Sequence, residues 1–185
     1  MRIEIKNVIG VTIHAFDAPD GVTPERALGL AAQDAVKQGV SLYSADLRGA
    51  DLSFAKLRNA DLRGADLRGA FLDHADMFCA DMLCADLRGA FLDHADLRES
   101  RLCYASLANA CLRCAKLNMA DLSNADLSGA KMLSANLILA TLRRTDLRGA
   151  DMRRTDLTGS DMIGAVLTNA KMPAGWQPDA ALAPR

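Results

Sequence analysis

A leucine or methionine stands at every fifth position from Leu42 to Met172, and a small residue stands two places before each. The result is a run of 27 pentapeptides, in which Ala45–Gly49 reads Ala-Asp-Leu-Arg-Gly. Side chains on a helix or strand repeat about every 3.6 or 2 residues, so neither element could keep both apolar positions on one core. The chain must therefore turn at every repeat. Short internal periods are typical of solenoids, in which each unit is buried only by its neighbours.

A longer period lies within the pentapeptides. The hexapeptide Phe-Leu-Asp-His-Ala-Asp at Phe71 recurs at Phe91, twenty residues later, which indicates four repeats per coil. The 27 repeats then make nearly seven coils, and a β-ladder spacing of about 4.8 Å gives a column about 30 Å long. The inward positions hold 21 Leu and 6 Met, and 22 of the 27 small positions are Ala. One face of this aliphatic core contains Leu47, Leu67, Leu87, Leu107, Leu127, Leu147 and Leu167.

The repeats resemble those of the pentapeptide-repeat family, whose consensus is Ala, then Asp or Asn, then Leu or Phe, then two variable residues. The match covers residues 40–174. The resemblance implies an all-β solenoid, a right-handed quadrilateral β-helix in which the small and large residues point inward and the other three outward. Family members often have Phe at the central position near dimer interfaces, and this chain has none there. A monomer or weak homodimer is therefore expected.

The residues before the repeats predict a small cap. Arg2–Lys6 and Val11–Ala15 both alternate polar and apolar residues, which indicates a β-hairpin. A helix is predicted next, with Thr23 as N-cap, Pro24 in the first turn and Gly39 at its end. Such a helix could cover the open edge of the first coil. The chain is thus divided into a cap at 1–39, a β-helix at 40–174, and a terminal segment at 175–185, in which Trp176 is the predicted lid and 177–185 a loose tail.

Composition bears on the compartment. The chain has no apolar run of eighteen residues, and Arg2, Glu4 and Lys6 stand where a signal peptide would be apolar. Its five cysteines are an odd number, which favours reduced thiols over a disulfide framework. We therefore expect a cytoplasmic protein without a membrane partner. The source is taken to be bacterial.

Charge is unevenly distributed along the repeats. Residues 40–99 contain 7 basic and 11 acidic residues, and residues 100–174 contain 10 basic and 6 acidic residues. Some family members bind DNA gyrase and topoisomerase IV, and their likeness to duplex DNA has been offered as the mechanism, which requires an extended negative surface. Here acidic and basic residues alternate, as in Asp46 with Arg48 and Asp66 with Arg68, and largely cancel. Binding of a type II topoisomerase is therefore kept as the alternative function.

Outward apolar residues provide two candidate partner surfaces. Phe71 and Phe91 fall in one vertical column with Cys111, where they could stack on each other or anchor a partner. A second predicted group exceeds the scattered apolar residues of an ordinary monomer surface. It consists of Phe78, Met119, Ile138 and Leu139, with Leu133 on the adjoining face, and it is the better candidate for a self-association or partner patch.

Metal binding is a remote possibility. Cys111 and Cys114 form a C-x-x-C pair, and His94 should lie one coil below Cys114. These three residues could contribute to a zinc site, but structural zinc takes four ligands, and the pair also falls on ordinary outward positions. No metal and no cofactor are therefore expected.

The sequence offers no arrangement for catalysis. It has no phosphate-binding glycine loop and no converging Ser, His and acidic set, and a filled column predicts no concavity to enclose a substrate. Direct nucleic-acid binding is not expected either, because acidic residues dilute the charge of the C-terminal arginines. These acidic residues are Asp146, Asp151, Asp156 and Asp161. The sequence therefore predicts a non-enzymatic, rigid module that binds a protein partner it does not identify.

Overall fold

The structure is a computed structural model that describes residues 1–177. Its regular elements are strand β1 (Arg2–Lys6), strand β2 (Thr12–Asp17) and helix α1 (Pro24–Lys37). The pentapeptides follow as a ladder of parallel β-bridges. Of the predicted tail at 177–185, residues 178–185 lie outside the described part of the chain.

Each bridge in the column joins residues that are twenty apart, from Asp46 with Asp66 to Asp151 with Lys171. The backbone bonds run in both directions between coils: Leu47 N–H donates to the Asp66 carbonyl at 2.8 Å, and Asp66 N–H donates to the Ala45 carbonyl at 2.9 Å. Residues twenty apart therefore form vertical columns. We number the positions of each pentapeptide from the small residue, and we name the four faces by their first second-position residue: face one Asp46, face two Asp51, face three Lys56 and face four Asp61.

The interior consists of the first and third positions. Of the predicted core leucines, all but Leu167 are completely buried. Leu167 is only partly buried against the core, because no further coil of the described residues covers it. Two first positions carry buried Thr, whose hydroxyls donate to the preceding coils: Thr145 to the Leu122 carbonyl and Thr155 to the Met132 carbonyl.

The N-terminal segment forms the predicted hairpin and helix. β1 and β2 pair antiparallel, with Ile3 opposite Phe16 and a bulge between Ile5 and Lys6. The Thr23 side chain caps α1 by accepting from Arg26 N–H, and the last helical residue, Lys37, precedes the predicted Gly39 by two positions.

This segment lies against the first coil. Asp46 N–H donates to the Lys6 carbonyl at 2.8 Å, and Asp51 N–H donates to the Glu25 carbonyl at 3.0 Å. Lys56 N–H donates to the Gln33 side chain. Backbone donors that would otherwise face water at the ladder edge therefore have partners.

The fifth position forms the corner of each coil and has a positive φ, as in Gly49 (63°) and Phe54 (59°). Non-glycine residues rarely adopt this conformation, and here eighteen do. Large side chains at this position project into solvent, as shown by Phe54 at 70% exposure and Leu139 at 58%. Apolar residues at the corner are therefore well exposed.

Trp176 lies partly buried against the core, beside the last coil. Its role as a lid remains a prediction. Within residues 1–177, no helix has the length and apolar character needed to cross a membrane.

Candidate interaction surface

Face two is the face on which the outward residues change character along the column. Each second-position residue of this face forms a β-bridge with the second-position residue of the next coil. From the N-terminal end these are Asp51, Phe71, Phe91, Cys111, Lys131, Asp151 and Lys171. The first three rungs carry aromatic and acidic side chains, and the rungs after Cys111 carry mostly basic ones.

The first three rungs form what we call the aromatic half of face two, which contains Phe54, Phe71, His74, Phe91 and His94. The Phe71 and Phe91 rings stack with centroids 5.1 Å apart, as one of the sequence alternatives anticipated. Along the corner, Phe54 stacks on His74 at 4.9 Å and His74 stacks on His94 at 4.8 Å. All five side chains remain exposed, including Phe71 at 43% and Phe91 at 41%. Stacking therefore does not remove these rings from solvent.

Two carboxylates lie between the aromatic columns. Asp73 accepts a hydrogen bond from Asp93 N–H at 3.1 Å, and Asp93 accepts one from Arg113 N–H at 2.9 Å. Neither carboxylate pairs with a cation among the residues that the structure describes. The aromatic half is therefore negatively charged as well as apolar.

The other end of the face, which we call the basic half, contains Arg113, Lys131, Arg153, Arg154 and Lys171. Only Arg153 has an ion-pair partner within residues 1–177: Asp151, at 2.7 Å. The remaining four basic side chains have no ion-pair partner in this part of the chain. Asp151, on the rung between Lys131 and Lys171, is the one carboxylate among these five basic residues, so the basic half keeps an excess of positive side chains.

The basic half also contains two open grooves. A groove of about 400 Å³ lies between Arg113, Lys131, Leu133 and Lys171, and a second of about 510 Å³ reaches Met172. The first groove forms because Gly129 and Gly149 have no side chains, whereas the basic residues around them have long ones. Neither groove encloses a substrate, because both open to solvent.

Charges on the other three faces are mostly paired within the face. On face one the guanidinium of Arg68 contacts Asp66 at 2.6 Å, and on face four that of Arg63 contacts Asp61 at 2.7 Å. Hydrogen bonds from the Arg63 side chain, with help from Ser41, outweigh desolvation and lower the pKa of Asp61 to about 2. The predicted cancellation of Asp by Arg therefore has a direct structural basis, and it leaves face two as the face with segregated charge.

The second predicted apolar group does not form one patch. Phe78 is half-buried between the guanidinium groups of Arg58 and Arg98, at 4.4 and 5.5 Å from its ring centroid. It lies three coils from Ile138 in the same column, which is about 14 Å at the ladder spacing. Met119 and Leu139 are adjacent on the corner of face three and exposed.

Leu133 and Ile138 occupy fourth positions and are half-buried. Leu133 belongs to face two, where it lines the basic groove rather than joining Met119 and Leu139. Leu133 therefore lies on the face next to that of the other four residues, as the sequence assigned it, because it belongs to a different repeat of the coil.

The candidate metal ligands do not converge. Among residues 1–177, no group of three His, Cys, Asp or Glu side chains is placed to hold a metal ion. Cys111 and Cys114 belong to different columns of face two, and the His94 ring stacks flat against His74, so its nitrogens are not directed at the two thiols.

Several exposed apolar residues were not singled out from the sequence. Phe54 and Tyr104 are fifth-position residues, and Ile9 lies at the hairpin tip. The period of five identified the first two as outward, but their large exposure follows from the positive φ at the corner. In the sequence, the only indication of this exposure is that both residues occupy the fifth position of their repeats.

Comparison with protein families identifies the repeats. The profile described as "Pentapeptide repeats" matches eight copies. The matched residues are 45–82, 55–93, 80–118, 115–144 and 135–172. The chain belongs to the pentapeptide-repeat family.

Solved structures include similar pentapeptide-repeat columns. Two trypsin-treated forms of QnrB1, a plasmid-mediated fluoroquinolone resistance protein, match with TM-scores of 0.59 and 0.60 at 22% and 25% identity. The alignments cover 70% of this chain in both cases, and 72% and 70% of QnrB1. These similarities show that the chain folds as a right-handed β-helical solenoid, as the resemblance implied.

HetL, a pentapeptide-repeat protein involved in heterocyst differentiation regulation in the cyanobacterium Nostoc sp. strain PCC 7120, is 31% identical. That alignment covers 75% of this chain and 85% of HetL, with a TM-score of 0.41. No curated protein shows significant similarity to the chain.

Proposed function

We propose that this pentapeptide-repeat protein is a non-enzymatic, rigid module that binds a protein partner through the aromatic half of face two. The observation that carries the proposal is the exposure of five stacked rings around Asp73 and Asp93 on one flat face. Contiguous exposed apolar surface with polar residues among it is typical of protein interaction sites.

The mechanism would be the presentation of side chains that are already ordered. Phe71 and Phe91 are held on adjacent rungs by backbone bonds, such as that from Phe91 N–H to the Ala70 carbonyl at 2.9 Å. Because this surface is already ordered, little conformational entropy is lost from it when a partner binds. Aromatic residues are also the residues that most often dominate binding energy at such interfaces.

We predict that a variant with Phe54→Ser, Phe71→Ser and Phe91→Ser loses its partner. These substitutions remove the exposed rings and leave the inward positions unchanged, so the column should fold. Affinity capture from the source cell, quantified by mass spectrometry, should recover the partner with wild type and at least about tenfold less with the variant, since binding hot spots are worth about 2 kcal/mol or more.

The matched control replaces three exposed apolar residues on faces three and four: Tyr104→Ser, Met119→Ser and Leu139→Ser. This control should recover the partner as wild type does. Equal recovery by the aromatic variant and the control would contradict the assignment of the surface. Circular dichroism verifies that both variants keep the β-helix.

The second candidate is modulation of a type II topoisomerase. It is supported by the similarity to QnrB1, a fluoroquinolone resistance protein, at 25% identity. The in-face pairing of Asp66 with Arg68 and of Asp86 with Arg88 opposes DNA mimicry, because it leaves little net negative charge on face one. The aromatic half of face two is therefore the better-supported binding surface.

Supercoiling by purified gyrase, with and without a fluoroquinolone, tests this candidate as the protein is titrated in. We expect no inhibition of supercoiling and no rescue from the drug at a large molar excess. Either effect at low micromolar concentration would instead make the topoisomerase the partner. The Phe54→Ser, Phe71→Ser, Phe91→Ser variant would then show whether the aromatic half makes the contact.

The location we propose is the bacterial cytoplasm. In support, all five cysteines are free, and the reducing cytoplasm keeps thiols in that state.

A further inference from the structure

The two halves of face two are complementary to each other. The aromatic half carries the uncompensated carboxylates Asp73 and Asp93, and the basic half carries four cations without local ion-pair partners among the described residues. The chain already pairs a guanidinium with an aromatic face at Phe78, so the same two chemistries attract each other within this molecule. The aromatic half of one copy could therefore bind the basic half of a second copy.

We propose that face two binds face two of a second copy of this chain, with the two columns antiparallel. The proposal rests on the proposed function, because it identifies the partner of the aromatic half. A dimer with two-fold symmetry uses the same patch on both subunits, which must therefore be self-complementary.

The rung of Cys111 and Cys114 lies at the centre, with three bridged rungs on each side. A two-fold axis along this rung reverses the column direction and keeps each side chain in its own column. Asp73 then lies opposite Arg153 of the second copy, and Phe91 lies opposite its Lys131. The parallel arrangement, with its two-fold axis along the fourth-position column, would place Asp73 opposite Asp73 and Arg153 opposite Arg153. Arg113, on the central rung, faces its own copy in both arrangements and does not distinguish between them. Repulsion between the like-charged halves therefore selects the antiparallel arrangement.

Shape supports the same register. The exposed Phe91 ring projects from the aromatic half, and the groove of about 400 Å³ on the rung opposite is lined by Lys131 and Leu133. In the antiparallel arrangement the ring faces this groove, with the Leu133 side chain available for apolar contact and Lys131 for a cation–π contact.

The small area of the face limits the affinity of the dimer. A face about 30 Å long, with three outward residues spanning about 10 Å, is small among specific interfaces. The dimer should therefore be weak and reversible, with association in the micromolar range. Salt should weaken it, since the charges that pair are partly exposed.

Charge reversal tests the register directly by sedimentation equilibrium. Wild type should shift from monomer toward dimer as its concentration rises, and less so in high salt. Asp73→Arg alone and Arg153→Asp alone should each remain monomeric, because each places like charges opposite one another. An equimolar mixture of the two variants should associate, because both opposed pairs of residues 73 and 153 are again attractive.

Both substitutions are compatible with the repeat, because fourth positions of face two already carry Arg at Arg113 and Asp at Asp93. Arg143→Asp is the matched control: it removes an ion pair with Asp161 at a fourth position of face four, as Arg153→Asp removes one with Asp151. This control should dimerise as wild type does.

Cross-linking tests the central rung. Cys114 and Cys84 are both exposed, positive-φ corner residues, on faces two and four. A variant that retains only Cys114 should give a covalent dimer with a short bismaleimide, because Cys114 lies opposite its own copy. A variant that retains only Cys84 should not.

Wild type that stays monomeric up to about 0.5 mM, well above the dissociation constants expected for such an interface, would overturn the proposal. So would a mixture of the charge variants that fails to associate. Neither result affects the capture experiment, which could still identify a different protein on the aromatic half. Failure of the dimer is thus distinguishable from failure of the proposed function.

Discussion

Leu107→Ala is expected to lower the free energy of unfolding by about 3.5 kcal/mol, the middle of the range for a fully buried leucine. Leu107 is completely buried in a central coil, so its side chain contacts the coils on both sides. Removal of its methyl groups leaves a cavity that the rigid ladder cannot close. Urea denaturation followed by circular dichroism measures the effect.

The same substitution at two other leucines gives a graded control. Leu167 is only partly buried beside the last described coil, so Leu167→Ala should cost about 1 kcal/mol. Leu139 is exposed at a corner, so Leu139→Ala should change stability by less than about 0.5 kcal/mol. Equal effects at the three positions would contradict the assignment of inward and outward residues.

The order of these effects could be predicted from the sequence only in part. The period of five assigns Leu107 and Leu167 to the same inward column, and it places Leu139 outside. What it cannot supply is the burial of a residue at the end of the column, which depends on what covers the last coil. A repeat pattern specifies neighbours along the column and leaves its ends undetermined.

Surface columns could be predicted better than surface patches. The twenty-residue recurrence predicted that Phe71 and Phe91 share a column, and the stacked rings agree with it. The period of twenty places Phe78 and Ile138 three coils apart, but it does not indicate that two arginines cover the Phe78 ring from the coils on either side. Such coverage depends on the rotamers of long side chains, which vary with neighbours rather than with repeat position.

The segregated charge of face two could be found from the sequence only by sorting residues by face. The sum over residues 40–99 and 100–174 showed a dipolar column, yet most of those charges are neutralised by pairs such as Asp146 with Arg148. Pairing within a repeat requires Asp at the second position and Arg at the fourth. On face two this combination occurs only at Asp151 and Arg153, so the charges there are left for other contacts.

Gly29→Ala in α1 is expected to destabilise the protein by about 3 kcal/mol, the upper part of the range for overpacking. Helix propensity alone predicts the opposite sign, since Ala is favoured over Gly by about 1 kcal/mol inside a helix. The structure reverses this preference because a Cβ on Gly29 would lie 1.8 Å from the Asp51 carbonyl oxygen. That oxygen belongs to the backbone of the first coil, so the helix must move.

Movement of α1 would also break the bond from Asp51 N–H to the Glu25 carbonyl and expose the ladder edge. Urea denaturation should therefore show a lower midpoint, and hydrogen exchange should show faster exchange of the Asp51 amide. Lys37→Ala introduces the same residue at an exposed position of α1 and should change stability by less than about 0.5 kcal/mol. A Gly29→Ala protein as stable as wild type would mean that α1 does not rest on the first coil, and the column would then need another means of protecting its N-terminal edge.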